Sequence, residues 1–82
     1  MRRGGYTIED FIVAQDSDVI NKSIGELFLP HGGIIVAVIH DEKLIMPQNG
    51  INFTEGDRVF ILSPVNAVKE TSTLFTSSKQ LT

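Results

Sequence analysis

Gly33-Ile34-Ile35-Val36-Ala37-Val38-Ile39-His40 carries apolar side chains, most of them β-branched, at odd and even positions alike. A strand sends successive side chains to opposite faces, so this run predicts a strand covered on both sides. Asp41-Glu42-Lys43 then reads as a charged hairpin turn, and Leu44-Ile45-Met46-Pro47 as the strand returning beside it. Pro47 has no N–H for a ladder bond and marks a strand end or a sheet edge. Downstream, Gln48-Asn49-Gly50 turns the chain again, Ile51-Asn52-Phe53 is a short alternating segment, and Thr54-Glu55-Gly56-Asp57 is a tight turn. Arg58-Val59-Phe60-Ile61-Leu62 is a second strand of the buried type.

Working outward, Ser63 caps a final helix whose first position is Pro64, where a missing N–H costs nothing. Val65, Val68, Thr71/Ser72 and Phe75 supply its inward stripe. Upstream of the central run, Ser23 and Glu26 have capping-box spacing. Ile24, Leu27 and Phe28 then share one helical face until Pro30 and Gly32-Gly33 stop the helix after two turns. Phe11-Ile12-Val13-Ala14 is a β-favouring run that ends in the turn-forming Asp16-Ser17-Asp18. The expected fold is α+β: a small, mostly antiparallel sheet with two helices on one face, in the order β-α-β-β-β-α. Residues 1–7 are expected to be a linker or an expression remnant, 8–75 the folded unit, and 76–82 a flexible tail.

With 82 residues the chain has room for one domain. It has no cysteine, which excludes disulfides and thiolate metal sites. The net charge is −3 and the only basic cluster is Arg2-Arg3. A nucleic-acid binder presents a basic face, so no nucleic-acid partner is expected. The longest apolar run, Ile34–Ile39, is far short of the ~20 residues of a membrane helix. The two N-terminal arginines are followed by no apolar core of a secretory signal. The expectation is a cytoplasmic chain with no direct membrane insertion.

Four stretches, in order, resemble a known family. Asn21-Lys22-Ser23-Ile24-Gly25-Glu26-Leu27 is similar to a Gly-Lys-Ser/Thr-Leu-x-Glu-Leu helix start. Gly33–Ile39 is similar to an "IVAI" central strand, and Leu44-Ile45-Met46-Pro47 to an "x-I-x-P" return strand. Thr54-Glu55-Gly56-Asp57-Arg58-Val59 is similar to an "L-x-x-G-D-x-V/L" turn and strand. Together they resemble the C-terminal ligand-binding domain of potassium-transport regulators, known as RCK_C or the TrkA C-terminal domain, over roughly Ile8 to Phe75. Asn21 stands where glycine is usual, and His40-Asp41 where a basic residue often follows the central strand.

The resemblance implies a module of potassium channels, Trk/Ktr-type uptake systems or cation/proton antiporters, covalently linked to the membrane protein or a separate subunit at its inner face. Such modules form homodimers, and some hold a nucleotide effector, best known as cyclic di-AMP, in the groove between protomers. Carried onto this chain, the groove positions are Leu29, His31, Gly32, Ile34 and Ile35 in the loop before the central strand, with Pro47 on the return strand. Nucleotide-binding members have an arginine and an asparagine at the positions matching Leu29 and Ile35. This chain would keep the apolar wall of such a groove without those polar contacts. The alternatives are a purely structural dimerisation domain of a gating assembly and a sensor domain of a transcription regulator.

Weighing the remaining residues, Asp16-Ser17-Asp18 with Asp10 lacks the glycine and terminal glutamate of a calcium loop and is read as a solvated turn. No metal site is expected. Gly32-Gly33 precedes a strand rather than a helix, which is not the context of a phosphate loop. Ser23 has no neighbouring base, and no nucleophile, base and orienting group can be assembled. Catalysis is not expected. Between Ile8 and Phe75, 28 of 68 residues are Val, Ile, Leu, Met or Phe, more than two short helices can cover. Part of that surplus, with Ile24, Leu27 and Phe28 at its centre, is expected to be a homodimer face.

Overall fold

A computed structural model describes residues 5–76. Four strands form one antiparallel sheet: β1 (Tyr6–Ile12), β2 (Ile34–His40), β3 (Lys43–Ile45) and β4 (Arg58–Pro64), in the spatial order β1-β4-β2-β3. Among the described residues a single α-helix, α1 (Val68–Phe75), follows β4 after a 3-10 turn at Val65–Ala67. The α+β class and the antiparallel sheet hold, with one α-helix rather than two.

The helix expected from Ser23 is only a 3-10 turn, Ile24–Glu26. Ser23 makes no side-chain cap bond, its Oγ is buried without a partner, and Leu27 is already extended. The reason is tertiary. The segment before the turn runs beside residues 51–53, with Ile24 N–H donating to the Ile51 carbonyl at 2.8 Å and Phe53 N–H to the Lys22 carbonyl at 3.0 Å. Gly25 N–H donates to the Gln48 carbonyl at 3.2 Å. At the start of a helix these N–H groups would have no intrahelical partner; here the 48–53 segment supplies one and docks the turn against itself. Ile51–Phe53 forms only an isolated bridge, Ser23 to Asn52, and no sheet strand.

β1 starts at Tyr6, earlier than the Phe11–Ala14 run suggests and inside the segment expected to be a linker. It pairs along the whole of β4, from Tyr6 opposite Pro64 to Ile12 opposite Arg58. The chain leaves the sheet at Val13, which is buried and donates to the Asp57 carbonyl at 2.8 Å. The same pairing holds Ser63 and Pro64 extended, so they end β4 instead of starting a helix. Positions 1–4 and 77–82, the greater part of the expected linker and tail, lie outside the described residues.

Register sorts the side chains. Phe11, Val59 and Val38 lie side by side on one face, as do Ile61 and Ile35. This face meets Val13, Val19, Ile24, Phe53 and Phe75 to make the core. Phe75 stacks on Phe11 (ring centroids 5.9 Å apart) and meets the edge of Phe53 (5.7 Å). On the opposite face Ile8, Leu62 and Ile34 form one row, and Ile12, Arg58, Ile39 and Leu44 another.

The β2–β3 turn places Asp41 and Glu42 at φ of 51° and 67°, between His40 and Lys43, which face each other across the hairpin. Two consecutive left-handed residues are the signature of a type I′ turn, which favours Asn-Gly. Glu42→Gly is expected to raise stability by about 1 kcal/mol, the order of the left-handed penalty for a residue with a Cβ. Denaturant unfolding checks it: the midpoint should rise without a change of slope.

Candidate functional site

Lys22, Ser23, Glu26, Leu27 and Phe28 line a surface cleft of about 420 Å³ around the first 3-10 turn. The turn places them by burying Ile24 in the core and half-burying Leu27 against it. The extended backbone at Leu27 then leads Phe28 outward, where it is 93% exposed. Phe28 is thus left uncovered by the described chain, beside a cleft that also carries one ammonium and one carboxylate. Of the three residues expected at a dimer face, Leu27 and Phe28 are at this surface and Ile24 lies beneath it.

The expected groove residues are spread over different surfaces. Leu29 and Ile35 pack against the protein's own core. Ile34 is exposed on the other side of the sheet, in the row with Leu62 and Ile8. His31 and Gly32 sit in a 3-10 turn over Pro30–Gly32, both at positive φ (56° and 81°) and both exposed. His31 Nε2 reaches Glu70 Oε1 of α1 at 3.0 Å, which ties the loop to the C-terminal helix. Both side chains are more than half exposed, so the pair adds little stability. Pro47 is half-buried and precedes Gln48, whose carbonyl holds the Gly25 N–H. The return strand therefore ends beside the first turn.

In the Asp16–Asp18 turn, Ser17 is buried, with its hydroxyl donating to the Leu74 carbonyl and accepting from Val19 N–H. This is an anchor between the turn and α1. Among the described residues no group of three or more His, Cys, Asp or Glu side chains is placed to hold a metal ion. No helix among them is long and apolar enough to cross a membrane.

One cluster escaped the reading of the sequence. Asp57 is almost fully buried, and its carboxylate accepts from Thr54 N–H (2.9 Å), Thr54 Oγ1–H (3.1 Å) and His40 Nδ1–H (2.6 Å). His40 ends β2 and Asp57 immediately precedes β4, so they meet because Ile39 pairs with Arg58. Only the register could have announced it; the local signal was limited to the Thr54-Glu55-Gly56-Asp57 turn. With Asp41, Glu42, Glu55 and Arg58, the pair lines a second cleft of about 400 Å³.

The hydrogen bond that His40 donates to Asp57 and the negative charge of Asp57, aided by Asp41, raise the His40 pKa above its usual 6.5 despite some desolvation. The folded chain thus holds the His40 proton more tightly than the unfolded chain does. The resulting stabilisation is fully present below about pH 6.5 and is lost as pH rises through the higher folded value. The melting midpoint is expected to fall between pH 6 and pH 9, and His40→Gln to remove most of that slope. Calorimetry across this range checks both.

Against known proteins, residues 8–76 match the family profile described as TrkA-C domain. The Trk system potassium uptake protein TrkA homolog 2 of Methanosarcina mazei is 31% identical over 68 residues, covering 83% of this chain and 15% of the relative. TrkA homolog 1 of the same organism is 28% identical over 68 residues, with the same coverage. The chain spans about 15% of the length of these curated relatives.

Proposed function

The chain belongs to the TrkA-C domain family, and from that membership we propose that it is a dimerising, small-ligand-binding regulatory module of a potassium uptake system or a related cation transporter. It acts at the inner face of the membrane through the transport protein, without inserting itself. The observation that carries this reading is Phe28, 93% exposed at the lip of the Lys22–Phe28 cleft. A two-fold arrangement would present the same Lys22–Phe28 surface on both copies, as an isologous interface requires. An effector held between the copies favours one relative orientation by no more than its difference in affinity for the two. That bias is what the transport protein would read.

A specific observation favours a second reading, in which the domain only dimerises. Leu29 and Ile35 face the core, so an effector in the expected groove would meet few polar partners. A thermal-shift panel of cyclic di-AMP, cyclic di-GMP, ATP, ADP and NADH separates the two. A ligand at a hundred times its Kd adds about 2.7 kcal/mol, or about 10–20 °C for a domain of this size. The regulatory reading expects such a rise with one nucleotide, lost in Phe28→Asp. Silence across the panel, with Phe28→Asp still changing the mass distribution, supports dimerisation alone. Silence together with an unchanged mass distribution overturns both.

A further inference from the structure

The two edges of the sheet are β1 and β3, and they differ. β3 is three residues long, begins on Lys43 and has Pro47 just beyond its end. Short length, lysine and proline all keep an edge strand from pairing with other chains. β1 is seven residues long, contains neither lysine nor proline, and pairs with β4 without a bulge. The Gly5 carbonyl accepts from Val65 N–H at 2.9 Å, and Val13 N–H donates to the Asp57 carbonyl at 2.8 Å. Odd-numbered residues of β1 therefore turn their backbone groups to β4. The N–H and C=O groups of Tyr6, Ile8, Asp10 and Ile12 point outward along about 20 Å of strand, and no described backbone group meets them. Tyr6, Ile8 and Ile12 are exposed on the face away from the core, where Asp10 is already neutralised by Arg58 at 2.7 Å. Thr7, Glu9 and Phe11 lie half-buried on the other face. Glu9 accepts from the Thr7 hydroxyl at 2.9 Å, and among the described residues no cation pairs with it.

We infer that the outer edge of β1 takes an extended segment of a different polypeptide as a fifth strand, one whose side chains alternate apolar and basic. Ladder bonds to Tyr6, Ile8, Asp10 and Ile12 hold the backbone of that segment, as in other cases of strand addition. Its apolar side chains lie beside Tyr6, Ile8 and Ile12, and a lysine or arginine lies beside Glu9, since opposite charges on adjacent strands attract. A helix is a poorer occupant, because its own N–H groups are spent within it and leave the β1 edge unsatisfied. A second copy of β1 is poorer too. Pairing the whole strand with its antiparallel twin sets Glu9 against Glu9, and like charges directly opposite destabilise.

The test is amide NMR of the 82-residue chain, titrated with capped peptides of about seven residues that alternate valine with lysine or valine with glutamate. With the valine–lysine peptide, at concentrations up to about 1 mM, shifts are expected at Tyr6, Ile8, Asp10 and Ile12. The valine–glutamate peptide should bind about tenfold more weakly, and Glu9→Gln should shrink that preference. Ile8→Pro removes one outward N–H that β4 does not use, a position where an edge strand tolerates proline. It should weaken binding about tenfold while the β4 and core amide signals stay in place. N-methylation of the peptide on one set of alternate amides should abolish binding, and on the other set should leave it. That comparison decides the matter if Ile8→Pro does not fold. Absence of shifts along β1 overturns the inference. So does binding that survives both sets of N-methylation, which would reduce the contact to apolar adhesion.

Discussion

Phe75→Ala is expected to cost about 3–5 kcal/mol, the range for removing a fully buried aromatic ring. Phe75 is completely buried at the end of α1, stacked on Phe11 of β1 and edge-on to Phe53. Its backbone carbonyl also accepts the Ala14 N–H at 2.8 Å. One side chain therefore joins the C-terminal helix, the outer strand and the 51–53 segment. A chain of this length has about 4–12 kcal/mol of stability in all, so the loss is a large share of the total and should lower the melting midpoint by more than about 10 °C. Phe75→Leu keeps most of the volume and loses chiefly the aromatic pairing, about 0.5–1.5 kcal/mol. Thermal unfolding of both variants checks the order. A midpoint for Phe75→Ala within 5 °C of the unmutated protein would remove Phe75 from the core.

Gly25→Ala is the second large effect, expected at about 3 kcal/mol, the upper end for overpacking. A Cβ at Gly25 would stand 2.5 Å from the Gln48 carbonyl carbon and 2.6 Å from the Asn49 backbone nitrogen. These are backbone atoms and cannot swing aside as the tip of a side chain would. By contrast, Gly32, Gly50 and Gly56 have open space around them and need glycine for their positive φ, a lesser cost of about 1–2 kcal/mol. Relief of the clash means moving the turn away from residues 48–49, and Leu27 and Phe28 move with it. Gly25→Ala should therefore lower the midpoint by roughly 12–24 °C and also disturb the association proposed for the Phe28 cleft. Denaturation and sedimentation of one preparation read both. A midpoint unchanged within 2 °C would mean that the turn does not sit against Gln48 and Asn49.

The structure separates the three residues expected at a dimer face. Leu27 and Phe28 stand at the cleft, but Ile24 three residues earlier is core, because the segment is one 3-10 turn with different facing from a helix. Lys22 and Glu26, which supply the charge of the cleft, were quoted only as parts of a motif. The His40–Asp57 pair was invisible because its partners are 17 residues apart and meet only through the β2–β4 register. The groove residues were carried over from a family pattern, and the backbone sends neighbouring Ile34 and Ile35 to opposite faces of the sheet.

The sequence by itself determined the central strand, the hairpin after it, the β4 strand, the α+β class and the family. These depend on local alternation, turn residues and motif order, all of which lie within a few positions of one another. It also determined that β2 and β4 would carry apolar side chains on both faces. Tertiary structure alone decided what covers each face, how far β1 extends, and why the turn at Ile24 stops after three residues. Those outcomes depend on which backbone groups arrive from distant segments: Gln48 and Ile51 against Gly25 and Ile24, Pro64 against Tyr6, Asp57 against His40. Local pattern specifies which side chains gain by leaving water, while long-range hydrogen bonding and close backbone contact settle where each of them goes.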